Sequence, residues 1–252
     1  EAEPEAPLAT LRVHGSFARS EGGPAVLRDL HLDVPRGELV AVIGAVGSGK
    51  STLLHCILGE LYPDASREVH ISRPSVVAFC PQVPHIAEGS LKENVLFGHD
   101  LQHGPREAAR YAEVMRASCL EADLKALPGG DGVPIGAHGV TLSAGQKARV
   151  ALARAAYHRG SELVLLDDPF SAVDAATAAT LLERLLLGPC MRGRTRVVVL
   201  QPDAERLQRF DRVVLLAEGR VVEHGPPAEV LATAAFKRLL GGRREAPARR
   251  GA

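Results

Sequence analysis

The sequence predicts an α/β fold with a mostly parallel sheet, an antiparallel β portion near the N-terminus and a helical subdomain. Three observations support this prediction: short, nearly continuous apolar runs typical of strands buried on both faces, helical stretches between most of them, and one long region of helical patterns without a convincing strand. Strands that alternate with helices imply an α/β core.

The sequence pattern of residues 27–58 predicts two strands, a turn and a helix. Residues 27–34 (LRDLHLDV) alternate apolar and polar, as a half-buried strand would. Residues 38–44 (ELVAVIG) form a nearly continuous apolar run that ends in a glycine-rich turn, and residues 50–58 (KSTLLHCIL) follow with helical spacing.

Candidates for buried strands continue towards the C-terminus. They are VVAFC (76–80), ELVLL (162–166), RVVVL (196–200) and RVVLL (212–216), and EGRVVEHG (218–225) extends the last of them into a hairpin. The region from about 87 to 157 holds helical patterns only. We therefore predict that it is a helical subdomain inserted between two core strands.

Both ends of the chain have the composition of linkers. Residues 1–10 (EAEPEAPLAT) are acidic and proline-rich, and residues 241–252 (GGRREAPARRGA) are basic, with glycine and proline. We predict one domain over residues 10–240, with a linker at 1–9 and a linker or tail at 241–252. We also expect this domain to be part of something larger.

The composition indicates a globular protein without a global charge bias. Hydrophobic residues make up 46% and charged residues 24% of the 252 residues, and 30 basic side chains balance 30 acidic ones. No overall field therefore favours nucleic acid or an anionic membrane surface. The four cysteines are scattered without a CxxC pair, which favours reduced thiols in a cytosolic compartment. No apolar run reaches the roughly 18–20 residues of a membrane helix, so we expect the chain to be soluble as given.

Residues 44–51 (GAVGSGKS) match the phosphate-loop (P-loop) pattern G-x-x-x-x-G-K-[ST] in full, between a predicted buried strand and a predicted helix. Glycines let the backbone wrap closely around phosphates, and the helix turns its positive N-terminal end to the anion. Lys50 would reach the β- and γ-phosphates, and Ser51 would ligate Mg²⁺. The alternative is a glycine turn before an ordinary helix. The predicted nucleotide-binding residues are Gly44, Gly47, Ser48, Gly49, Lys50, Ser51 and Thr52.

Two further motifs follow in the sequence. In LVLLDDPFSAVD (163–174), Asp167 would lie at the tip of a core strand beside the phosphate loop and hold Mg²⁺ through a water molecule, unless it only caps a helix. LSAGQ (142–146) precedes an apolar-periodic helix, and a serine and a glycine at a helix start make another anion-binding end. The alternative, by local chemistry alone, is a capped helix and nothing more. The distance of LSAGQ in sequence from Lys50 indicates that it serves another nucleotide.

Taken together, these motifs resemble the nucleotide-binding domain of an ATP-binding-cassette (ABC) transporter, over about residues 8–240. GAVGSGKS is similar to the Walker A element, LVLLD to Walker B, SAVD (171–174) to the D-loop, and LSAGQ to the LSGGQ signature, with Ala144 in place of a glycine. LKENVLFG, GVTLSAGQKARVALARA and LLDDPFSAVD resemble the multidrug-resistance-associated (C) subfamily, in particular its first nucleotide-binding domain. The residues to which the resemblance gives further roles are Ser143, Gly145 and Gln146 (nucleotide binding) and Gln82 (Mg²⁺ sensing and contact with the membrane domain).

Two positions depart from a fully hydrolytic member of this family. Asp168 stands where the general base would be, with a carboxylate one methylene short, as is typical of the first domain in this subfamily. Gln201 stands where the family usually has a histidine that binds the γ-phosphate, and a neutral amide cannot act as a proton-carrying imidazole. We expect Asp168, Gln201 and Gln82 to form a catalytic site that holds ATP and hydrolyses it weakly. The alternative is that aspartate serves as well as glutamate.

Phe17 aligns with the aromatic residue of the family's A-loop, which stacks on adenine. Stacking of a base on an aromatic ring contributes roughly 1–3 kcal/mol. The alternative is a core phenylalanine at the end of an early strand.

The resemblance implies the ATP-binding domain of an ABC-type membrane transporter. Such a domain binds ATP with Mg²⁺, pairs head-to-tail with a second nucleotide-binding domain, and drives transmembrane domains of the same or a companion chain. It would lie at the cytoplasmic face of a membrane, with no nucleic acid as partner. The alternative is a regulatory module that gates a channel or receptor without turnover. A soluble ABC ATPase acting on DNA or ribosomes would need long coiled-coil insertions or a basic surface bias, and neither is visible in the sequence.

Overall fold

The computed structural model describes residues 9–64, 68–99, 104–136, 141–158 and 160–244. The strands are β1 (Ala9–Ala18), β2 (Ala25–Pro35), β3 (Leu39–Gly44), β4 (Tyr62–Pro63), β5 (His70–Ser72), β6 (Val77–Cys80), β7 (Gly89–Ser90), β8 (Pro134–Ile135), β9 (Leu163–Asp167), β10 (Thr195–Val199), β11 (Arg212–Ala217) and β12 (Arg220–Gly225). The helices are α1 (Lys50–Leu58), α2 (Leu91–Leu96), α3 (Pro105–Ala117), α4 (Glu121–Ala126), α5 (Ala144–Tyr157), α6 (Ala175–Leu181), α7 (Ala204–Leu207), α8 (Pro227–Ala232) and α9 (Ala234–Arg244).

The chain divides into two compact units. Unit 1 is drawn from residues 1–73 and 197–252, and unit 2 is residues 74–196. Unit 2 is therefore continuous in sequence and interrupts unit 1.

Unit 1 contains an antiparallel sheet and a second group of strands with both parallel and antiparallel pairing. In the antiparallel sheet, β1 pairs with β2, β4 and β5. Strand β2 alternates as predicted, with Leu30 and Leu32 buried and His31 exposed between them. Strand β3 is buried along its whole length and runs parallel to β11, which pairs antiparallel with β12. These pairings confirm the predicted α/β class and its antiparallel portion.

Unit 2 combines a parallel strand pair with helices. Strands β6 and β9 pair in parallel, and α2 and α3 both pack against α5. The expectation of no strand between about 87 and 157 was wrong, because β7 and β8 pair there through Gly89–Ile135 and Ser90–Pro134. Each of these strands has two residues, which is too short to produce an alternating pattern. The predicted domain boundaries stay a prediction.

The predicted C-terminal linker begins inside a helix. Residues 241–244 belong to α9, which is anchored by the buried ring of Phe236, so the two glycines at 241 and 242 do not end it. The remainder of this segment, 245–252, and residues 1–8 of the N-terminal linker lie outside the described residues. Within the described ranges, we find no helix with the length and apolar character required to cross a membrane.

Candidate nucleotide-binding site

The phosphate loop lies in unit 1 between β3 and α1. Strand β3 ends at Gly44, where a Cβ atom would lie 2.3 Å from the Leu216 carbonyl oxygen and 2.5 Å from Ser48 Oγ. Gly49 is the N-cap of α1 with a φ of 107°, in the left-handed region that favours glycine. Glycine at these two positions therefore lets the chain pass from a buried strand into a helix through a tight loop.

The start of α1 offers hydrogen-bond donors to an anion. Gly49 has no side chain to cap the helix, and the first N–H groups of a helix have no partner within it. Among the described residues, the buried Ser48 hydroxyl lacks a hydrogen-bond partner. The ammonium group of Lys50 donates to the carbonyl oxygens of Gly44 (3.1 Å) and Ala45 (2.8 Å). Because a buried hydroxyl without a partner is destabilising, a phosphate that accepts from Ser48 would fit this loop.

Three other predicted residues of unit 1 lie beside this loop. Ser51 and Thr52 are half-buried in the first turn of α1. The amide of Leu200 donates to the Val42 carbonyl at 3.1 Å, so the end of β10 lies alongside β3. Gln201 follows directly and is exposed. The structure therefore brings Gln201 to the same edge of unit 1 as the phosphate loop.

Phe17 is not available to a nucleotide, and its predicted stacking role was wrong. Its side chain is 0% exposed and lies opposite Leu27 of β2, within the core of unit 1. The alternative of a core phenylalanine is therefore the correct one. Arg19, one residue beyond β1, is exposed, and its Nη2 donates to Thr52 Oγ1 at 3.4 Å. Arg19 could not be singled out from the sequence, because an arginine after a strand is an ordinary surface residue.

Asp167 ends the buried strand β9 in unit 2 and is itself 5% exposed. Its neighbour Cys80 ends β6, opposite Leu166. Burial raises the pKa of the Cys80 thiol to about 12, with Arg154 lowering it and the Asp167 carboxylate raising it. The thiol next to Asp167 is therefore uncharged at neutral pH.

Asp168 adopts a left-handed backbone conformation, with a φ of 49°. Its carbonyl oxygen accepts a hydrogen bond from Ser171 Oγ at 2.8 Å, which closes the turn after β9. Aspartate and asparagine are several-fold enriched at positive φ among residues other than glycine. The positive φ thus favours a short acidic residue at this position. The sequence did not reveal this reason for the aspartate.

Gln82 follows β6 in unit 2 and is exposed, as is its neighbour Val83 at 82%. Ser51, the Mg²⁺ ligand predicted at the phosphate loop, belongs to unit 1. The Mg²⁺-sensing role of Gln82 therefore stays a prediction based on the resemblance.

The LSAGQ segment forms a capping box at the start of α5. Ser143 Oγ accepts from the Gln146 amide at 3.2 Å, and Gln146 Oε1 accepts from the Ser143 amide at 2.8 Å. Gln146 Nε2 donates to Asp123 Oδ1 at 2.9 Å, and Asp123 also pairs with Arg149. The Gln146 side chain is therefore occupied in holding the helix start, while Ser143 is exposed.

The signature segment and the D-loop are in contact inside unit 2. A Cβ atom at Gly145 would lie 2.9 Å from the carbonyl oxygen of Ala172. Ala144, in contrast, is exposed. Gly145 is thus fixed by the close approach of another backbone segment, whereas position 144 tolerates a methyl group.

Comparison with known proteins identifies the family. A family model described as "ABC transporter" matches residues 27–171, more than half of the chain. The chain is 41% identical over 219 residues to human "ATP-binding cassette sub-family C member 2", covering 86% of this chain and 14% of that protein. It is 44% identical over 199 residues to "ABC-type transporter cicA" of Emericella nidulans (79% and 13%) and 43% identical over 197 residues to "ABC transporter C family member 13" of Arabidopsis thaliana (77% and 13%).

These matches confirm the predicted fold class and the resemblance. The chain spans about one seventh of the length of the curated relatives it matches. The matched region contains the phosphate loop, the signature segment and the Walker B aspartate. The chain therefore belongs to the ABC transporter family, and its relatives include members of sub-family C.

Proposed function

We propose that the chain is the ATP-binding domain of an ABC-type membrane transporter, in which ATP binding and hydrolysis are coupled to transport. One observation carries this proposal: the phosphate loop of unit 1 joins an uncapped helix start, the buried Ser48 hydroxyl and the Lys50 ammonium group. Family membership supports it, since the named relatives are ATP-binding-cassette proteins and transporters.

Each residue of the site has a distinct part in binding. Ser48 and the first amides of α1 would donate to phosphate oxygens, and Lys50 would exchange its two carbonyl acceptors for the β- and γ-phosphates. Ser51 would be a Mg²⁺ ligand in unit 1, and Asp167 and Gln82 of unit 2 keep the Mg²⁺ roles that the resemblance implies. Mg²⁺, when bound, would neutralise charge on the phosphates.

We infer that hydrolysis at this phosphate loop is weak. A general base must lie within about 3 Å of the attacking water, and the Asp168 carboxylate is one methylene short of a glutamate. The exposed amide of Gln201 can hydrogen-bond a γ-phosphate, but it cannot carry a proton as an imidazole does.

The proposed partners are a second nucleotide-binding domain and transmembrane domains in the same or a companion chain. ATP would lie between the phosphate loop of one domain and Ser143 of the other, paired head-to-tail at the cytoplasmic face of a membrane. The greater length of the relatives, of which this chain spans 14% or less in the three cases above, leaves room for such domains.

The Lys50→Ala variant tests the proposal through binding alone. Removal of this cation should weaken MgATP affinity at least ~10-fold in calorimetric titration, because a charge-assisted contact to phosphate is lost. Lys237→Ala, on the exposed face of α9, is the matched control and should bind like the unmodified chain. Equal affinities of all three folded proteins would contradict the proposal.

A further inference from the structure

Phe17 is buried and therefore cannot contact the base of a bound nucleotide. Two cavities border the phosphate loop. The helix-side cavity, of about 420 Å³, is lined by residues that include Arg19, Ser51, Thr52 and His55. The strand-side cavity, of about 500 Å³, is lined by residues that include Arg19, Arg28 and Thr52. Arg19 and Thr52 line both cavities, so a nucleotide that extended from the loop into either cavity would pass beside them.

We propose that the guanidinium group of Arg19 is the surface on which the nucleotide base stacks, in place of an aromatic ring. The inference rests on the proposed function, since it assumes that the phosphates bind at the P-loop. Arg19 is exposed, and its hydrogen bond to Thr52 Oγ1 places the guanidinium group beside the first turn of α1. A planar guanidinium stacks on aromatic faces through both cation–π attraction and plane-to-plane contact.

The other planar side chains near the two cavities are less suited to this role. Arg28 lines only the strand-side cavity, and its Nε donates to the Ala25 carbonyl at 3.1 Å. The His55 ring is held by Glu60 Oε2, 2.6 Å from its Nδ1. Tyr62 is 48% exposed, but it is not among the described residues that line either cavity. Arg19 alone among these four residues lines both cavities.

A stacking role differs from a phosphate contact in what it recognises. Stacking acts on the face of the base, so it contributes to ATP binding and nothing to the binding of inorganic tripolyphosphate. A phosphate contact contributes to both ligands. The two ligands therefore separate the roles of Arg19 and Lys50.

The test measures calorimetric affinities of the chain and its variants for MgATP and for magnesium tripolyphosphate. Arg19→Ala should weaken ATP binding about 5- to 100-fold and leave tripolyphosphate binding within about twofold. Arg19→Trp should restore ATP affinity because an indole ring also stacks, whereas Arg19→Lys should not, because an ammonium group has no plane. Arg12→Ala is the control of equal charge change and should match the unmodified chain, because Arg12 is exposed on β1 and is not among the described residues that line either cavity. Melting curves check that each exposed-site variant is folded.

Four outcomes overturn the proposal. An unchanged ATP affinity of Arg19→Ala removes the role, and an equal loss for ATP and tripolyphosphate assigns Arg19 to the phosphates. Recovery by Arg19→Lys assigns the effect to charge rather than to stacking. If the unmodified chain binds neither ligand, the proposed function itself is wrong. If the unmodified chain binds both ligands and Arg19→Ala has no effect on ATP affinity, only the stacking role is wrong.

Discussion

The backbone at Asp168 restricts which residues can stand at this position. A φ of 49° is tolerated by aspartate more readily than by glutamate, whose side chain gains nothing from local hydrogen bonds in this conformation. The turn is closed by the Ser171 hydroxyl, so the strained residue is held in place by its own loop. A glutamate at position 168 would have to adopt this unfavourable positive φ in order to place its carboxylate at the catalytic position.

The first prediction concerns Asp168 and Gln201 together. Asp168→Glu alone should raise ATP turnover little, because the γ-phosphate contact at position 201 is unchanged, and it should cost up to about 1 kcal/mol of stability. Asp168→Glu combined with Gln201→His should hydrolyse faster when a partner signature is present. Steady-state ATPase rates and urea denaturation of the three proteins provide the measurement. Brisk Mg²⁺-dependent hydrolysis by the unmodified chain alone contradicts the prediction.

Helix α5 is fixed by side chains at both ends. At its start, the capping box joins Ser143 and Gln146. At its end, Arg110 Nη2 donates to the Ala156 carbonyl at 2.8 Å, and Arg194 Nη2 donates to the Ala155 carbonyl at 3.1 Å. These carbonyls have no partner within the helix, and cations are favourable at a helix C-terminus. The helix that carries the signature is therefore held against unwinding from either end.

The second prediction concerns His158, the C-cap of α5. Burial keeps the pKa of His158 below its ordinary value of 6.5, and the nearby His99 and Arg194 lower this pKa further. The folded state thus binds this proton more weakly than the unfolded state. The free energy of unfolding should fall as the pH is lowered from 6.5 through the depressed pKa, and this contribution is regained above 6.5.

Urea denaturation at about pH 7.5 and about pH 5.5 measures this loss of stability. His158→Gln should lose less stability between the two pH values than the unmodified chain. His224→Gln, at an exposed position of β12, is the control and should lose as much as the unmodified chain. An identical pH dependence of all three proteins would show that His158 does not titrate as its surroundings indicate.

At the scale of the whole molecule, the parts of the fold that could be predicted from the sequence are those in which a local residue pattern coincides with a requirement of the backbone, such as glycine in a tight loop. The apolar run of β3, the glycines of its loop and the helix at Lys50 follow from residues 38–58 alone, and the structure has them within one residue. Phe17 could not be assigned in the same way, because whether a ring at a strand end faces core or solvent depends on β2, the strand that pairs with it. The occupied side chain of Gln146 depends on Asp123, 23 residues away.

The third prediction concerns the proposed pair of domains. The exposed Ser143 would complete the nucleotide site of the partner domain, while Asp168 and Gln201 belong to the weak site on this chain. In the complete transporter that we propose, Ser143→Arg should abolish ATP turnover because a bulky side chain blocks closure. Asp168→Asn and Gln201→Ala should each leave most of it.

The control for this experiment is Ser143→Asn, which keeps an N-cap side chain on α5. It separates loss of the helix cap from blocked closure, since only Ser143→Arg introduces the bulk. Steady-state rates at matched expression are sufficient. A harmless Ser143→Arg beside an inactive Asp168→Asn would reverse the assignment of the two sites.

The interruption of unit 1 by unit 2 has a consequence for the order of events during synthesis. Strand β3 pairs with β11, and Leu39 donates to the Asp211 carboxylate 172 positions later. A ribosome that adds about 5–20 residues per second needs roughly 10–30 s to cover that distance. The nascent phosphate loop therefore follows an apolar strand that still lacks its β11 partner, while unit 2, which is continuous in sequence, can already fold. Ribosome pausing within residues 74–196 would lengthen this exposure, and chaperone demand should peak before residue 212 emerges.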